Sequence, residues 1–278
     1  MYRRMLQRTA GSALTLLGLT AGLASQAAAI EPSETDPRKI AQAVEDRPDG
    51  DKGVSHVSLT LVDASGRKRV RKTIQRSLDF ADGTKALIFF ESPADVRNTG
   101  LLSVDYDAGD KDDDQWLYLP SLHKSTRISS ADKSGSFMGT DLTFADMTSR
   151  DTKAYDYKML EQSVKVDGED CWLIEARPKT DKVRKETGYL KSQMWISKSK
   201  LMPLQIKAWV IEGKKIKLMK FSNIAQVDGI WVFKKLAVQT RRNNKVESST
   251  LMEISDVKFN QPSVTDDLFS ERRLEKGI

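Results

Sequence analysis

The residues of this chain that could carry catalysis are few. Among its 278 residues are two histidines, His56 and His123, and one cysteine, Cys171. A histidine relay needs base, orienting carboxylate and hydroxyl to converge, and no G-x-S-x-G elbow selects one serine from the many present. His56 falls on the strand face opposite Val57 and Leu59, and His123 follows Pro120 in a polar segment, so both read as solvated side chains. The acidic run DYDAGDKDDD, Asp105 to Asp114, resembles a calcium loop but fails on register. Counted from Asp110, the sixth position is Gln115 rather than glycine and the twelfth is Ser121 rather than glutamate. No Cys/His spacing suits zinc, and no glycine-rich loop suits phosphate. Glu161 or Glu175 could join an acid–base pair, but nothing separates either from ordinary surface charge. The chain reads as non-enzymatic, with no metal and no cofactor.

Another kind of chemistry, apolar burial, is concentrated between Gln115 and Met147. Trp116 and Tyr118 alternate on a short extended run that stops at Pro120. A basic polar segment follows, then Ser134-Gly135-Ser136-Phe137-Met138-Gly139, then Thr143-x-x-Asp146 beside Leu142, Phe144 and Met147. Thr143 and Asp146 have the spacing of a capping box, which predicts one helical turn. The stretch reads as a strand leading into a mobile flap, with Gly135 and Gly139 as hinges. Trp116, Tyr118, Phe137, Met138, Phe144 and Met147 are the candidate cavity and lid residues, because aromatics bury large area and methionine adapts to varied apolar shapes.

The elements that would position this flap are strands. Ser33 to Asp46 predicts one helix, with Pro37 in its first turn and Thr35 or Asp36 as cap. From His56 onward, alternating runs separated by turns such as Asp63-Ala64-Ser65-Gly66, Asp82-Gly83, Asp167-Gly168 and Asp228-Gly229 predict about eleven antiparallel strands. Leu204, Ile206, Ala208 and Val210 fall on one face of their strand, and Trp209 on the other. A sheet of that length must curl to bury a face, so the expected fold is mainly β: an incomplete antiparallel β-barrel, or half-barrel, with an N-terminal helix and a helical lid over an apolar concavity. The charged tail from Asp266 to Ile278 is expected to fray unless Leu268 and Phe269 anchor it.

Residues 1–29 have the form of a cleavable signal: Arg3, Arg4 and Arg8, a short apolar run from Ala10 to Ala24, and Ala27-Ala28-Ala29 at the cleavage site. The remainder, 30–278, is expected to form one domain. The three arginines leave with the signal and reduce the formal charge of +6, so the surface that remains argues against nucleic acid. Cys171, in Cys171-Trp172-Leu173-Ile174, reads as a buried and inert thiol.

Trp116-x-Tyr118-x-Pro120, the basic segment with Lys124 and Arg127, Ser136-Phe137-Met138-Gly139-Thr140-Asp141, Asp146, Asp167-Gly168-x-x-Cys171 and the Trp231 strand together form a recognisable pattern. The chain resembles the periplasmic outer-membrane lipoprotein-sorting protein family, LolA-like relatives of the lipoprotein carrier of the Lol system. The resemblance covers the whole chain after the signal and is most specific from Trp116 to Asp146. It implies an incomplete barrel with a lid or plug, and a periplasmic carrier or sensor that shields acyl chains of a lipid or lipoprotein; the chain is expected to be monomeric. It also implies an inner-membrane exporter of the resistance-nodulation-division type as a partner. The extra length and the Ser136 block depart from the lipoprotein carrier itself, so another lipid is an equal candidate for cargo. An envelope lipid sensor or adaptor is the second reading, and a secreted hydrolase the third.

Overall fold

The computed structural model describes residues 30–107 and 111–278, so the signal-like segment 1–29 lies outside the described residues. One helix, α1 (Pro37–Glu45), precedes a first run of strands: β1 (Gly53–Asp63), β2 (Lys68–Phe80), β3 (Gly83–Ser92), β4 (Gly100–Tyr106), β5 (Asp114–Leu119) and β6 (Lys124–Arg127). A second run follows a long connection: β7 (Tyr155–Val166), β8 (Glu169–Pro178), β9 (Tyr189–Ser197), β10 (Met202–Val210), β11 (Lys215–Val227), β12 (Ile230–Arg242) and β13 (Lys245–Lys258). Two short helices, α2 (Asp181–Thr187) and α3 (Glu271–Lys276), complete the set.

All thirteen strands form one antiparallel sheet in the order β6-β5-β4-β3-β2-β1-β13-β12-β11-β10-β9-β8-β7. Each run is a meander of neighbours, and the pairing of β1 with β13 joins the two halves. The count exceeds the expected eleven or so, and β6 was missed because its four polar residues carry no alternation to mark them. α1 is shorter than expected, since Asp36 accepts from the N–H groups of Arg38 and Lys39 and so fixes the helix start. On β10 the register slips between Pro203 and Gln205. Leu204 therefore packs with Cys171 and Trp195 on one face while Ile206 packs on the other, against the single face expected.

The sheet is strongly curled, and its own contacts show it. Nine inter-strand steps separate β5 from β9, about 43 Å along a flat sheet at roughly 4.8 Å per step. Yet Gln115 on β5 bonds the carbonyl of Phe144, and Tyr189 on β9 bonds Asp146, only two residues further along. With side-chain reach included, those two anchors lie within about 25 Å of each other. The sheet must bend around the segment that touches both, so that segment marks the concave side.

The concave side is lined by Val57, Leu59 and Leu61 from β1, Ile88 and Phe90 from β3, and residues of β11 to β13. At the β7–β10 end, α1 inserts Ile40 and Ala41 against Trp172, Ile174, Met194 and Ile196 on the same side. The convex side of β2 to β5 is covered by the chain end, where Val264, Phe269 and Leu274 pack on Leu78, Leu87, Phe89 and Leu102. The tail does not fray. Ser270 caps α3, and Leu274 is fully buried.

Cys171 is fully buried on the convex side. Burial, followed by the nearby Glu169 and Asp170 carboxylates, pushes its thiol up to about 11. The native protein should therefore resist a thiol-reactive dye at pH 8 and react fully once unfolded in denaturant. Rapid native labelling would show that the β7–β8 edge opens.

Candidate functional site

The connection from β6 to β7, residues 128–154, joins the two free edges of the sheet, and its shortest route crosses the concave side. It behaves as a plug. Phe137 and Leu142 are buried against Phe90, and Phe137 packs between the Phe90 and Phe144 rings at centroid distances of 5.9 and 5.8 Å. Met138 and Met147 pack against the same cluster. The local fold is a tight loop. Phe137 N–H donates to the Leu142 carbonyl, and Met138 and Gly139 take positive φ of 49° and 74°. The capping box forms as read: Thr143 N–H donates to Asp146 Oδ2 at 2.8 Å, and Asp146 N–H donates to Thr143 Oγ1 at 3.1 Å. It starts the single turn Ala145–Met147.

Polar groups fasten the plug at five places. Buried Asp141 accepts from the hydroxyls of Thr240 on β12 and of Ser248 and Thr250 on β13, the last at 2.7 Å. Its own N–H donates to Thr250 Oγ1 at 2.9 Å. The Arg71 guanidinium on β2 donates to the Met138 carbonyl. Gln115 Nε2 donates to the Phe144 carbonyl at 3.0 Å. Tyr189 Oη donates to Asp146 Oδ2 at 2.8 Å, with Lys217 Nζ 3.2 Å from the phenol oxygen and 3.9 Å from the carboxylate. Burial and the adjacent Asp146 charge push the Tyr189 phenol well above its ordinary value, so it stays a donor, while burial lowers the Lys217 ammonium. At the far end, Ser149 N–H and Oγ donate to Asp105 Oδ2 at 2.7 and 3.0 Å. Burial, with Asp113 nearby, pushes the Asp105 carboxyl up to about 7 despite those two bonds.

The structure divides the six expected cavity and lid residues between two places. Phe137, Met138, Phe144 and Met147 meet on the concave side. Trp116 and Tyr118 do not join them, because side chains alternate along β5. Gln115 and Leu117 point into the concavity, whereas Trp116 and Tyr118 pack under the chain end on the convex side. The segment is seated inside the half-barrel, against the mobile flap expected. Gly139 combines a positive φ with open surroundings, and a Cβ at Gly135 would sit 2.9 Å from the Asp132 carbonyl, so the close approach of the chain there also requires glycine. Sequence reasoning missed Arg71, Gln115, Asp105 and the Thr240, Ser248 and Thr250 hydroxyls. The hydroxyls left a trace: Ser248 and Thr250 alternate on the same face as Met252, so polar residues sit where the apolar stripe should continue.

Several buried polar atoms on this side lack a partner among the described residues: Thr73 Oγ1, Asp105 Oδ1, Gln115 Oε1, Tyr157 Oη and Trp172 Nε1. Each belongs to a residue on the concave side of its strand. A buried polar group left without a partner costs free energy.

A family model described only as that of an uncharacterized protein matches residues 82–276. The structure of an outer-membrane lipoprotein-sorting protein domain from Vibrio parahaemolyticus is similar at a TM-score of 0.76 and 30% identity, over 86% of this chain and 98% of that one. The chain belongs to the outer-membrane lipoprotein-sorting protein family. A DUF1329 family protein from Desulfovibrio piger is similar at 0.77 and 28%, over 88% of this chain and 100% of that one. A LolA superfamily protein from Nitrosomonas europaea shares the fold at 0.63 and 17%, over 85% and 98%. No curated protein matches the chain. In this member of the family, the matched residues include the whole plug and all its anchors except Arg71.

Replacing Asp141 with alanine strips three hydroxyls of their acceptor and should cost about 2–4 kcal/mol. Hydrogen exchange at residues 136–144 should accelerate well before the sheet unfolds; unchanged protection there would remove Asp141 as the anchor. Asp105 gives a pH signature. Its folded value of about 7 exceeds the ordinary carboxylate range, so its charge weakens the folded state progressively as pH rises from about 4 to 7. Asp105→Asn should accordingly gain on the order of 1–2 kcal/mol over the parent between pH 5 and pH 8, measured by urea unfolding. A pH-independent difference would refute this assignment.

Proposed function

We propose that this protein is a periplasmic carrier of the acyl chains of a lipid or lipoprotein, exported by residues 1–29 and working as one unit over 30–278. The observation that carries the proposal is the composition of the plug seat. The concave face offers Leu59, Ile88, Phe90, Leu236 and Val238 as a continuous apolar surface, and only a connecting segment covers it. Each methylene moved from water onto such a surface contributes about 0.8 kcal/mol, so one acyl chain can compete with Phe137, Leu142 and Phe144 for the same place. The plug then acts as an internal stand-in for cargo, turning outward at Gly139 and Gly135. Cargo loading needs no catalytic group. The family resemblance points to an inner-membrane exporter of the resistance-nodulation-division type as the donor or recipient.

A disulfide can test displacement directly, because Asp141 and Thr250 touch through side chain and backbone. The double variant Asp141→Cys with Thr250→Cys should take up a fluorescent fatty acid when reduced and refuse it when oxidised, with uptake restored by reductant. Equal uptake by a verified oxidised form would sink the displacement model. Native mass spectrometry of the parent, purified from its own periplasm, should then show a stoichiometric acyl-containing adduct.

A further inference from the structure

The two ends of the curled sheet differ in charge and in exposed apolar residues. Antiparallel pairing brings the β1–β2, β10–β11 and β12–β13 turns, the start of β9 and the β5–β6 connection to one end. Five of the six residues from Arg67 to Lys72, at the start of β2, are cationic. Lys68, Arg69, Lys72, Lys214 and Lys245 at this end are exposed and have no carboxylate partner among the described residues. At the opposite end, Asp167, Glu169 and Asp170 are paired with Lys220, Lys200 and Lys198, so no comparable set of unpaired cations faces solvent at the β7–β8 and β9–β10 turns among the described residues.

The cationic end also holds most of the exposed large apolar side chains. Val70, Leu122, Leu190, Ile211 and Val246 are 51%, 66%, 42%, 41% and 46% exposed, and all five sit at turns or strand starts on that end. Trp209 joins them, half-buried, with Lys191 and Lys207 above its ring at 4.4 and 4.7 Å. Isolated exposed apolar residues need no explanation, but this set gathers at one end among unpaired cations. Apolar side chains beside unpaired lysines and arginines suit a surface that is anionic at its face and apolar just beneath.

We propose that this end of the half-barrel docks on an anionic phospholipid bilayer, with Val70, Leu122, Leu190, Ile211 and Val246 entering the headgroup region and the unpaired cations meeting lipid phosphates. The surface is independent of what the concave side carries. It nevertheless places the plug tip at the membrane: exposed Gly139 lies between Arg71 on β2 and Ser248 and Thr250 on β13, at this same end. Arg71, which holds the Met138 carbonyl, follows Lys68, Arg69 and Val70 in the same strand.

Vesicle flotation tests the proposal with the intact protein. At low salt the protein should float with vesicles containing phosphatidylglycerol and stay behind with pure phosphatidylcholine, and raised salt should release it. Lys68→Glu with Arg69→Glu should weaken binding about tenfold or more. An independent pair, Lys214→Glu with Lys245→Glu, should do the same, and Leu122→Ser with Ile211→Ser should shorten residence on the vesicle. All six positions are exposed, so thermal midpoints should stay near the parent's. Failure of the folded parent to bind anionic vesicles at low salt overturns the proposal and turns the patch toward an acidic protein. Binding that survives both charge-reversal pairs overturns it equally.

Discussion

A half-barrel has a concave apolar face that something must cover, and the whole molecule is arranged around how that is done. A sheet closed into a barrel removes its edges, but here β6 and β7 remain unpaired with each other. The chain has to travel from one edge to the other, and the curl makes the interior its shortest path. Connectivity and burial are therefore solved by the same residues. The segment that links the two meanders is also the one that keeps water from Leu59, Phe90 and Val238.

That solution explains the uneven chemistry of the two faces. On the convex side, the cover is apolar and permanent: Val264, Phe269 and Leu274 sit on Leu87 and Phe89 with a capped helix behind them. On the concave side, a few aromatic and aliphatic residues are held by carboxylate–hydroxyl, guanidinium–carbonyl and phenol–carboxylate bonds. Packing an apolar helix there would have been simpler and drier. Polar fastenings exchange readily for water, whereas apolar contacts resist leaving a matched surface.

Much of the fold was legible in the sequence, because alternation and Asp-Gly turns mark antiparallel strands locally. The capping box at Thr143 and Asp146 was legible for the same reason, being complete within four residues. What escaped was long-range. Nothing local says that Asp141 meets Thr240 and Thr250, about a hundred residues away, or that Gln115 rather than Trp116 faces inward. Bulk drew attention to Trp116 and Tyr118, yet strand parity decides the face, and parity is fixed only when Ser103 and Gln115 pair across β4 and β5. Polar β6 was invisible because an edge strand of four residues needs no apolar stripe.

The anchor chemistry constrains how cargo must lie on the proposed reading. When the plug leaves, the hydroxyls of Thr240, Ser248 and Thr250 lose the Asp141 carboxylate that now accepts from all three. A methylene chain laid across them would leave three donors unsatisfied at an apolar contact, and each would cost about 1–3 kcal/mol. A polar headgroup, or water entering with it, satisfies them instead. The acyl chain therefore belongs deeper, against Ile88, Phe90 and Leu101, with its polar end at the hydroxyls beside the cationic end of the sheet. That orientation carries the head last into the cavity and first out of it, at the end proposed to dock on a bilayer.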